Sequence, residues 1–233
     1  MKTVIVQFEH KISDETAYGT TRSELDVQYC LDMCKDSMAE YADRHGYDFK
    51  YITKTTHFHE MHWKDYDPRG KIHIENGGNK ILGDDFFGGT GYKYVYGWFY
   101  YLPELALEYD RIIKTDTDVY VMNPEVPFPV EKTGFVTKCM NNLGVIMFDK
   151  ETANAFFEWG ISPYSFVYEE GYWDLMKKFL KVYPQYKNCT LPVEFHNTIM
   201  RNPQPETCVM YHLSSMANDK KYKGLCTALE NYT

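Results

Sequence analysis

Hydrophobic residues occur in short runs between polar segments, and this pattern predicts alternating strands and helices. The run Thr3–Phe8 predicts a buried strand. Apolar positions near helical spacing predict a helix over residues 23–45, and Gly46 supplies its C-terminal stop. Asp48–Ile52 predicts a second strand. A strand, a helix and a strand in this order predict a parallel pair joined by a right-handed crossover.

The rest of the chain predicts more elements of the same kind. Helices are predicted over residues 94–107, 151–159 and 170–182, and short strands over 111–115, 119–122, 134–138, 144–148 and 209–212. Residues 53–92 are less regular, with three histidines (His57, His59 and His62) and a possible hairpin over 71–82. Repeats and linkers are absent from the sequence, so we expect one α/β domain over residues 1–233.

Composition narrows the possible classes of protein. The 233 residues are 44% hydrophobic and 25% charged, which favours a globular fold over a disordered chain. A net charge of −8 disfavours non-specific binding to nucleic acid. No apolar run reaches the roughly 18 residues of a membrane span, and the N-terminus lacks a signal-peptide pattern, so we expect a soluble cytoplasmic protein. The six cysteines have no paired CxxC spacing, which favours reduced thiols over a zinc site.

The main candidate for chemistry is an acidic pair, Asp116 and Asp118, directly after the predicted strand 111–115. In an extended chain, residues two apart point to the same side. Two carboxylates on one side of a strand end suit a hard divalent cation such as Mg2+ or Mn2+. The alternative is an acidic turn without a ligand, because Asp and Thr are common turn residues.

Four segments together resemble nucleotide-sugar-dependent glycosyltransferases of the GT-A fold. They are residues 41–48, 109–118 with the trailing Asn-Pro at 123–124, 141–148 and 209–212. Their order and spacing extend over almost the whole chain, and the likeness is greatest to glycogenin-like and yeast-type α-galactosyl and α-mannosyl transferases. The resemblance implies a single GT-A, Rossmann-like domain with a mixed, mostly parallel central sheet flanked by helices.

The resemblance also implies a metal site and a reaction. Asp116, Asp118 and His212 would bind Mn2+ or Mg2+, which would bridge the donor diphosphate. A divalent cation stabilises the charge that grows on a leaving nucleoside diphosphate. The expected enzyme is a hexosyl- or pentosyltransferase that moves a sugar from a UDP-sugar, or alternatively a GDP-sugar, to a glycan or other hydroxyl acceptor, with a retaining reaction favoured.

Gln7 and Phe8 are expected at the donor because they end the first predicted strand and ligands sit at the carboxyl ends of parallel strands. The other donor contacts are what the resemblance implies, and Asn141 and Asn142 have a simple turn as their alternative. The predicted donor contacts are Gln7, Phe8, Arg22, Asp116, Thr117, Asn141, Asn142, Lys220 and Lys223. The chain departs from the related families at residues 213–216, where Leu-Ser-Ser-Met replaces a glycine-containing motif. A solvated basic tail therefore remains the alternative for the two lysines.

The catalytic carboxylate is predicted within residues 168–174, where related folds often place an acidic residue near the acceptor. Glu170 is the first candidate, followed by Glu169 and Asp174. An inverting enzyme needs such a base for the acceptor proton, whereas a retaining enzyme can pass that proton to the donor phosphate. The alternative is that all three are ordinary acids of a helix N-terminus.

Two other functions compete with this prediction. A degenerate transferase would bind a nucleotide-sugar or glycan without turnover. A phosphatase of the Asp-x-Asp type is the second rival, but Tyr120 replaces the Thr or Val of its motif and the acidic pair is not on the first strand.

Overall fold

The computed structural model describes residues 1–8, 24–52, 101–139, 142–161, 179–186, 189–198 and 208–212. Within these residues, bounds are defined for the α-helices α1 Glu24–His45, α2 Leu102–Glu108 and α3 Lys150–Ile161, and residues 179–182 form a further helical segment. The strands described are β1 Thr3–Phe8, β2 Asp48–Ile52, β3 Arg111–Thr115, β4 Val119–Val121, β5 Phe135–Cys139, β6 Asn142–Asp149, β7 Cys189–Thr190, β8 Asn197–Thr198 and β9 Met210–His212. Short 3-10 helices span Pro184–Tyr186 and Val193–Phe195.

The strands form two sheets. The larger sheet has six strands in the order β2-β1-β3-β6-β5-β7, and the smaller has three in the order β4-β9-β8. In the larger sheet β1 pairs in parallel with β2 and β3, and β5 pairs in parallel with β7, whereas β6 is antiparallel to both β3 and β5. The predicted mixed, mostly parallel sheet is confirmed.

The predicted element boundaries lie close to the observed ones. The bounds of β1, β2 and β3 are those predicted, and α1 begins one residue later than expected. Of the helices predicted over 94–107 and 170–182, the described residues include α2 and a helical segment at 179–182. The predicted hairpin and the three histidines of residues 53–92 lie outside the described residues.

Gly46 ends α1 as the sequence predicts. Its φ of +65° is the left-handed conformation that favours glycine. The N–H of Gly46 donates to the carbonyl of Asp43 at 3.1 Å, and that of Tyr47 to the carbonyl of Ala42 at 2.9 Å. These two hydrogen bonds satisfy carbonyls at the helix end and turn the chain into β2.

Apolar side chains cover both faces of the larger sheet. On one face, alternate residues of β1, β3 and β6 pack against α2 and α3 around Phe156 and Trp159. On the other face, the intervening residues pack against Met38, Tyr41 and Ala42 of α1. Burial on both faces explains why these strands read as nearly continuous apolar runs.

Helix α1 also holds the segment that contains β4. The hydroxyl of Ser37 accepts a hydrogen bond from the N–H of Val121 at 3.2 Å. The Tyr41 hydroxyl donates to the carbonyl of Val126 at 2.9 Å. These bonds link the helix to the chain that follows the acidic pair.

No helix among the described residues has both the length and the apolar character that crossing a bilayer requires.

Candidate metal and donor site

The acidic pair lies where the chain passes from the larger sheet to the smaller one. Asp116 follows the last residue of β3, and Asp118 precedes the first residue of β4. The N–H of Asp116 donates to the carbonyl of Gly144 at 2.7 Å, and the N–H of Val119 donates to the carbonyl of Asp116 at 3.3 Å. Backbone hydrogen bonds on both sides therefore fix the turn that presents the carboxylates.

Pairing within the smaller sheet brings His212 to this turn. His212 is opposite Val119 in the antiparallel register of β4 and β9. Its Nε2 lies 3.1 Å from Oδ1 of Asp118 and 3.4 Å from Oδ2 of Asp116. Potential ligand atoms of the three residues lie within 4.8 Å of one another, and no other such group occurs in the described part of the chain.

Two carboxylate oxygens and one imidazole nitrogen make a donor set that suits a divalent cation. The two carboxylate side chains are 36% and 22% exposed, whereas that of His212 is 4% exposed. The group therefore has an open side toward solvent and a buried base. These three residues could hold a divalent metal ion with positions left for a ligand, and their role as metal ligands stays a prediction.

The carboxylates change the protonation behaviour of His212. Burial by itself lowers the pKa of the imidazole, but the charge and hydrogen bond of Asp118 and the charge of Asp116 outweigh it. The pKa of His212 is consequently raised above its ordinary value. The same negative field would favour a bound cation.

A second histidine, His196, contacts Nδ1 of His212, whereas the carboxylates face Nε2 of the same ring. Nε2 of His196 lies 3.0 Å from Nδ1 of His212, and both side chains are buried. A ring that binds a metal through Nε2 carries its proton on Nδ1, so His212 would then donate to His196. A hydrogen bond of this kind fixes the tautomer and orientation of a metal-binding histidine.

Gly144 leaves the space that the His212 ring occupies. A Cβ atom at residue 144 would lie 2.2 Å from both Cε1 and Nδ1 of His212. Any side chain there would displace the ring from the carboxylates. Gly144 therefore has two roles: its carbonyl fixes Asp116, and its lack of a side chain admits His212.

Lys114 adds a buried positive charge to the site. Its side chain is 4% exposed, and its Nζ makes a close ion pair with Oδ1 of Asp116. Lys114 and Asp116 are two residues apart at the end of β3 and so point to the same side. One oxygen of Asp116 faces Lys114, and the other faces His212.

Two buried polar atoms lack a hydrogen-bond partner among the described residues at this edge of the sheet. They are Oε1 of Gln7 and Oγ1 of Thr115, which are register partners on β1 and β3. The Nε2 of Gln7 donates to the carbonyl of Asp116 at 3.1 Å. Since buried polar atoms are nearly always hydrogen-bonded, this edge is suited to a bound ligand or water.

Of the remaining predicted site residues, some are described and the others lie outside the described residues. Phe8 lies 5.3 Å, between ring centroids, from Tyr101 and packs against the apolar core. Thr117 is buried. The backbone of Asn142 begins β6, and its side chain is not among those described. Outside the described residues lie Arg22, Asn141, Glu169, Glu170, Asp174, Lys220 and Lys223.

Sequence reasoning missed three residues of the site: Lys114, Gly144 and His196. The i, i+2 spacing of Lys114 and Asp116 on a predicted strand was a usable signal. Gly144 lies within the segment 141–148 that carried the resemblance, but nothing local announces its contact with His212. His196 has no sequence signal, since it is 16 residues from its partner and follows a 3-10 helix.

Comparison with known proteins establishes the fold. No family model and no curated protein matches the sequence. Among solved structures, a glycosyltransferase involved in glycosylation of the major capsid of PBCV-1 matches with a TM-score of 0.57 at 12% identity, covering 97% of this chain and 100% of that one. The glycosyltransferase GlyE of Streptococcus pneumoniae has a TM-score of 0.45 at 11% identity, covering 92% of this chain and 55% of that one. The galactosyltransferase LgtC, in complex with donor and acceptor sugar analogs, has a TM-score of 0.37 at 9% identity, covering 98% and 96%.

The first of these similarities extends over both chains almost completely, and it confirms the predicted GT-A fold. A fold by itself does not determine a reaction, because one fold supports many functions. The functional argument therefore depends on the cluster of Asp116, Asp118 and His212.

Proposed function

We propose that this chain is a metal-dependent glycosyltransferase. It would move a sugar from a nucleoside-diphosphate donor, with a UDP-sugar favoured over a GDP-sugar, to a glycan or other hydroxyl acceptor. Residues 1–233 would act as one catalytic domain. Mn2+ or Mg2+ would be the cofactor.

One observation carries the proposal: the side chains of Asp116, Asp118 and His212 converge where β3 leaves the sheet. Ligand sites in open α/β sheets lie at the carboxyl ends of the strands. Here that edge has a donor set for a divalent cation and the unpartnered buried oxygens of Gln7 and Thr115. A structure of the same fold is a glycosyltransferase, which supports this reading of the site.

The residues of the site have separate tasks in this proposal. Asp116, Asp118 and His212 would hold the cation, and His196 would orient the His212 ring. Gln7 would hold the backbone of the acidic turn through the carbonyl of Asp116. A bound divalent cation offsets negative charge on a leaving diphosphate.

The reaction would break the bond between the anomeric carbon and the donor phosphate oxygen. The acceptor hydroxyl oxygen would bond to the same carbon, and in the favoured retaining reaction its proton would pass to the departing phosphate. Glu170, with Glu169 and Asp174 as further candidates, would lie beside the reacting carbon. Gln7, Phe8, Arg22, Thr117, Asn141, Asn142, Lys220 and Lys223 remain candidates for donor contacts.

Thermal unfolding with a panel of nucleotide-sugars, each with and without Mn2+, tests the proposal. A donor at about 100 times its Kd should stabilise the fold by about 2.7 kcal/mol, because it binds only the folded state. The shift should require Mn2+ and should be lost in Asp118→Ala. The matched control is Asp48→Asn, which removes an exposed carboxylate at the opposite ends of the strands and should keep the full shift.

The alternative functions give different results. No metal-dependent shift with any nucleotide-sugar would overturn the proposal. A shift without slow hydrolysis of the donor would favour a protein that binds nucleotide-sugars without turnover. Release of phosphate from a simple phosphate ester, with no response to nucleotide-sugars, would favour the phosphatase.

A further inference from the structure

We propose that Lys114 lowers the affinity of this site for a free divalent cation and raises its affinity for a diphosphate, so that the two bind together. This inference rests on the proposed function and assigns to Lys114 the coupling between cation binding and diphosphate binding. The ammonium group would act on the binding of both ligands through its charge.

The contacts give Lys114 a fixed place beside the cation site. Its side chain is 4% exposed and forms an ion pair with Oδ1 of Asp116, while Oδ2 of Asp116 lies 3.4 Å from Nε2 of His212. One carboxylate oxygen of Asp116 therefore faces the ammonium group, and the other faces the side where a cation would bind. Burial weakens the screening of the ammonium charge by solvent and salt.

The formal charges show how much the lysine changes. A histidine binds a metal in its neutral form, and with His212 counted in that form Asp116, Asp118 and Lys114 sum to −1 − 1 + 1 = −1. A divalent cation would bring that sum to +1. Without the ammonium group the corresponding values are −2 for the empty site and 0 for the loaded one.

Removing the ammonium group should change the affinity for the cation and the affinity for the diphosphate in opposite directions. Coulomb repulsion from Lys114 opposes a cation, and the repulsion is stronger in a half-buried site than in water. The same ammonium group attracts a diphosphate. When a cation is bound, the diphosphate meets a site of charge +1 in the wild-type chain and a site of charge 0 without the lysine. Lys114 should therefore disfavour the metal alone and favour the nucleotide.

A purely geometric role for Lys114 predicts a different result. If the lysine only holds Asp116 in place through a hydrogen bond, its loss should weaken cation binding. Lys114→Met removes both charge and hydrogen bond in a shape suited to a buried position. Lys114→Gln removes the charge and keeps an N–H donor on a side chain one atom shorter. The two variants together separate charge from geometry.

The experiment measures Mn2+ alone first, by electron paramagnetic resonance of the free ion, and then UDP by calorimetry at saturating Mn2+. Both Lys114 variants should bind Mn2+ alone at least about tenfold more tightly than wild type, a change of about 1.4 kcal/mol. Both should bind UDP several-fold more weakly. The control is Lys50→Met, since Lys50 lies two strands from Lys114 in the middle of β2, is 40% exposed and pairs with Glu108; it should change neither affinity. Thermal unfolding confirms that each variant is folded.

The outcomes separate this inference from the proposed function. Unchanged or weaker Mn2+ binding in both variants would overturn the inference, as would unchanged UDP affinity, while wild-type binding of Mn2+ and UDP would still support the function. If wild type binds neither Mn2+ nor UDP, both proposals fail.

Discussion

The two ends of strands β1 and β3 carry similar charged residues in opposite settings. At the amino ends, Lys2, Asp48, Lys50 and Glu108 form ion pairs with side chains that are 40–51% exposed. At the carboxyl ends, the side chains of Lys114 and His212 are 4% exposed. The charged group at the amino ends is therefore exposed throughout, whereas the group at the carboxyl ends combines two buried side chains with two partly exposed carboxylates.

This difference separates a structural cluster from a candidate functional one. Exposed ion pairs contribute little to stability, because solvent screens them and ordering the side chains costs entropy. Buried charges lose much more hydration, and their attraction often fails to recover that loss. Stability alone therefore does not explain the buried group at the carboxyl ends. The proposed ligand binding would explain it, in line with the tendency of such groups to mark functional sites.

The amino-end cluster is organised around Glu108. Hydrogen bonds from Lys2 and then Lys50 hold the pKa of Glu108 at about 2. The ammonium groups of the same lysines lie 4.6 and 4.9 Å from the centre of the Tyr109 ring. Each charge at this edge has a partner within the described chain, and the edge needs no ligand.

The largest expected effect follows from removing a predicted metal ligand. His212→Ala should weaken Mn2+ binding by more than about a hundredfold, because even residues behind a metal ligand contribute ten- to hundredfold. Calorimetry with Mn2+ measures the loss. The control is His45→Ala, which removes a histidine whose Nε2 donates to the carbonyl of Pro124 at 2.8 Å, away from the site. Equal Mn2+ affinity in the two variants would contradict the proposed ligand set.

His196 should have the next largest effect. His196→Phe keeps a ring of similar shape and removes the nitrogen that faces Nδ1 of His212. Mn2+ affinity should fall by about ten- to hundredfold. His196→Gln, which can accept the same hydrogen bond through its side-chain oxygen, should recover most of the affinity. Failure of this rescue, with both variants equally stable, would argue against an orienting role.

Gly144→Ala should reduce both stability and metal binding. The new Cβ would lie 2.2 Å from the His212 ring, so we expect a loss of about 1–3 kcal/mol in the free energy of unfolding. Urea unfolding and Mn2+ titration measure the two effects. Gly46→Ala is the matched control: it strains a residue with φ of +65° by about 1 kcal/mol but has no neighbour within 4 Å. Unaltered Mn2+ affinity in Gly144→Ala would show that the ring can move without consequence.

Asp149 pairs with Arg111 and so lies beside the amino end of β3. Replacing Asp149 should change only the free energy of unfolding and the pH dependence of that free energy. Its carboxylate accepts the N–H of Thr152 at 2.8 Å, which caps α3, and the N–H of Gly134 at 2.6 Å. Burial by itself raises the pKa of Asp149, but these hydrogen bonds outweigh it, and the pKa is lowered from 3.8. Asp149→Ala should therefore cost about 1 kcal/mol near neutral pH.

The sign of the pH dependence follows from the lowered pKa. The folded state holds its proton less tightly than the unfolded state, so the stabilisation is present above the unfolded pKa and is lost as pH falls through the folded one. The difference in the free energy of unfolding between wild type and Asp149→Ala should shrink below about pH 4. Asp149→Asn keeps an acceptor and should lose less stability. A difference that grows on acidification would contradict the assignment.

Glu108→Gln should have the smallest effect. Its two lysine partners are half exposed, and added salt should remove most of whatever contribution the ion pairs make. Urea unfolding at low and high salt measures this, with Mn2+ affinity expected to stay at the wild-type value. A loss of stability greater than that of Asp149→Ala, unaffected by salt, would contradict the contrast between the two edges.

Much of the fold follows from local sequence patterns. The bounds of β1, β2 and β3, the parallel β1–β2 pair and the Gly46 stop were all predictable, because burial on both faces and helix capping each leave a mark within a few residues. The acidic pair was recognisable for the same reason, since it directly follows β3.

The sequence by itself therefore determined five of the six strands of the larger sheet, missing the two-residue β7, and placed two carboxylates at a strand end. The resemblance also named His212, but only the tertiary structure decided how these residues meet: the pairing of β4 with β9 brings His212 to Asp118, Gly144 of β6 leaves room for the ring, and His196 follows a 3-10 helix. These contacts join residues 16 to 96 positions apart. Local periodicity carries no information over such separations. These contacts depend on how the strands of the two sheets pair and on the space that a missing Cβ leaves.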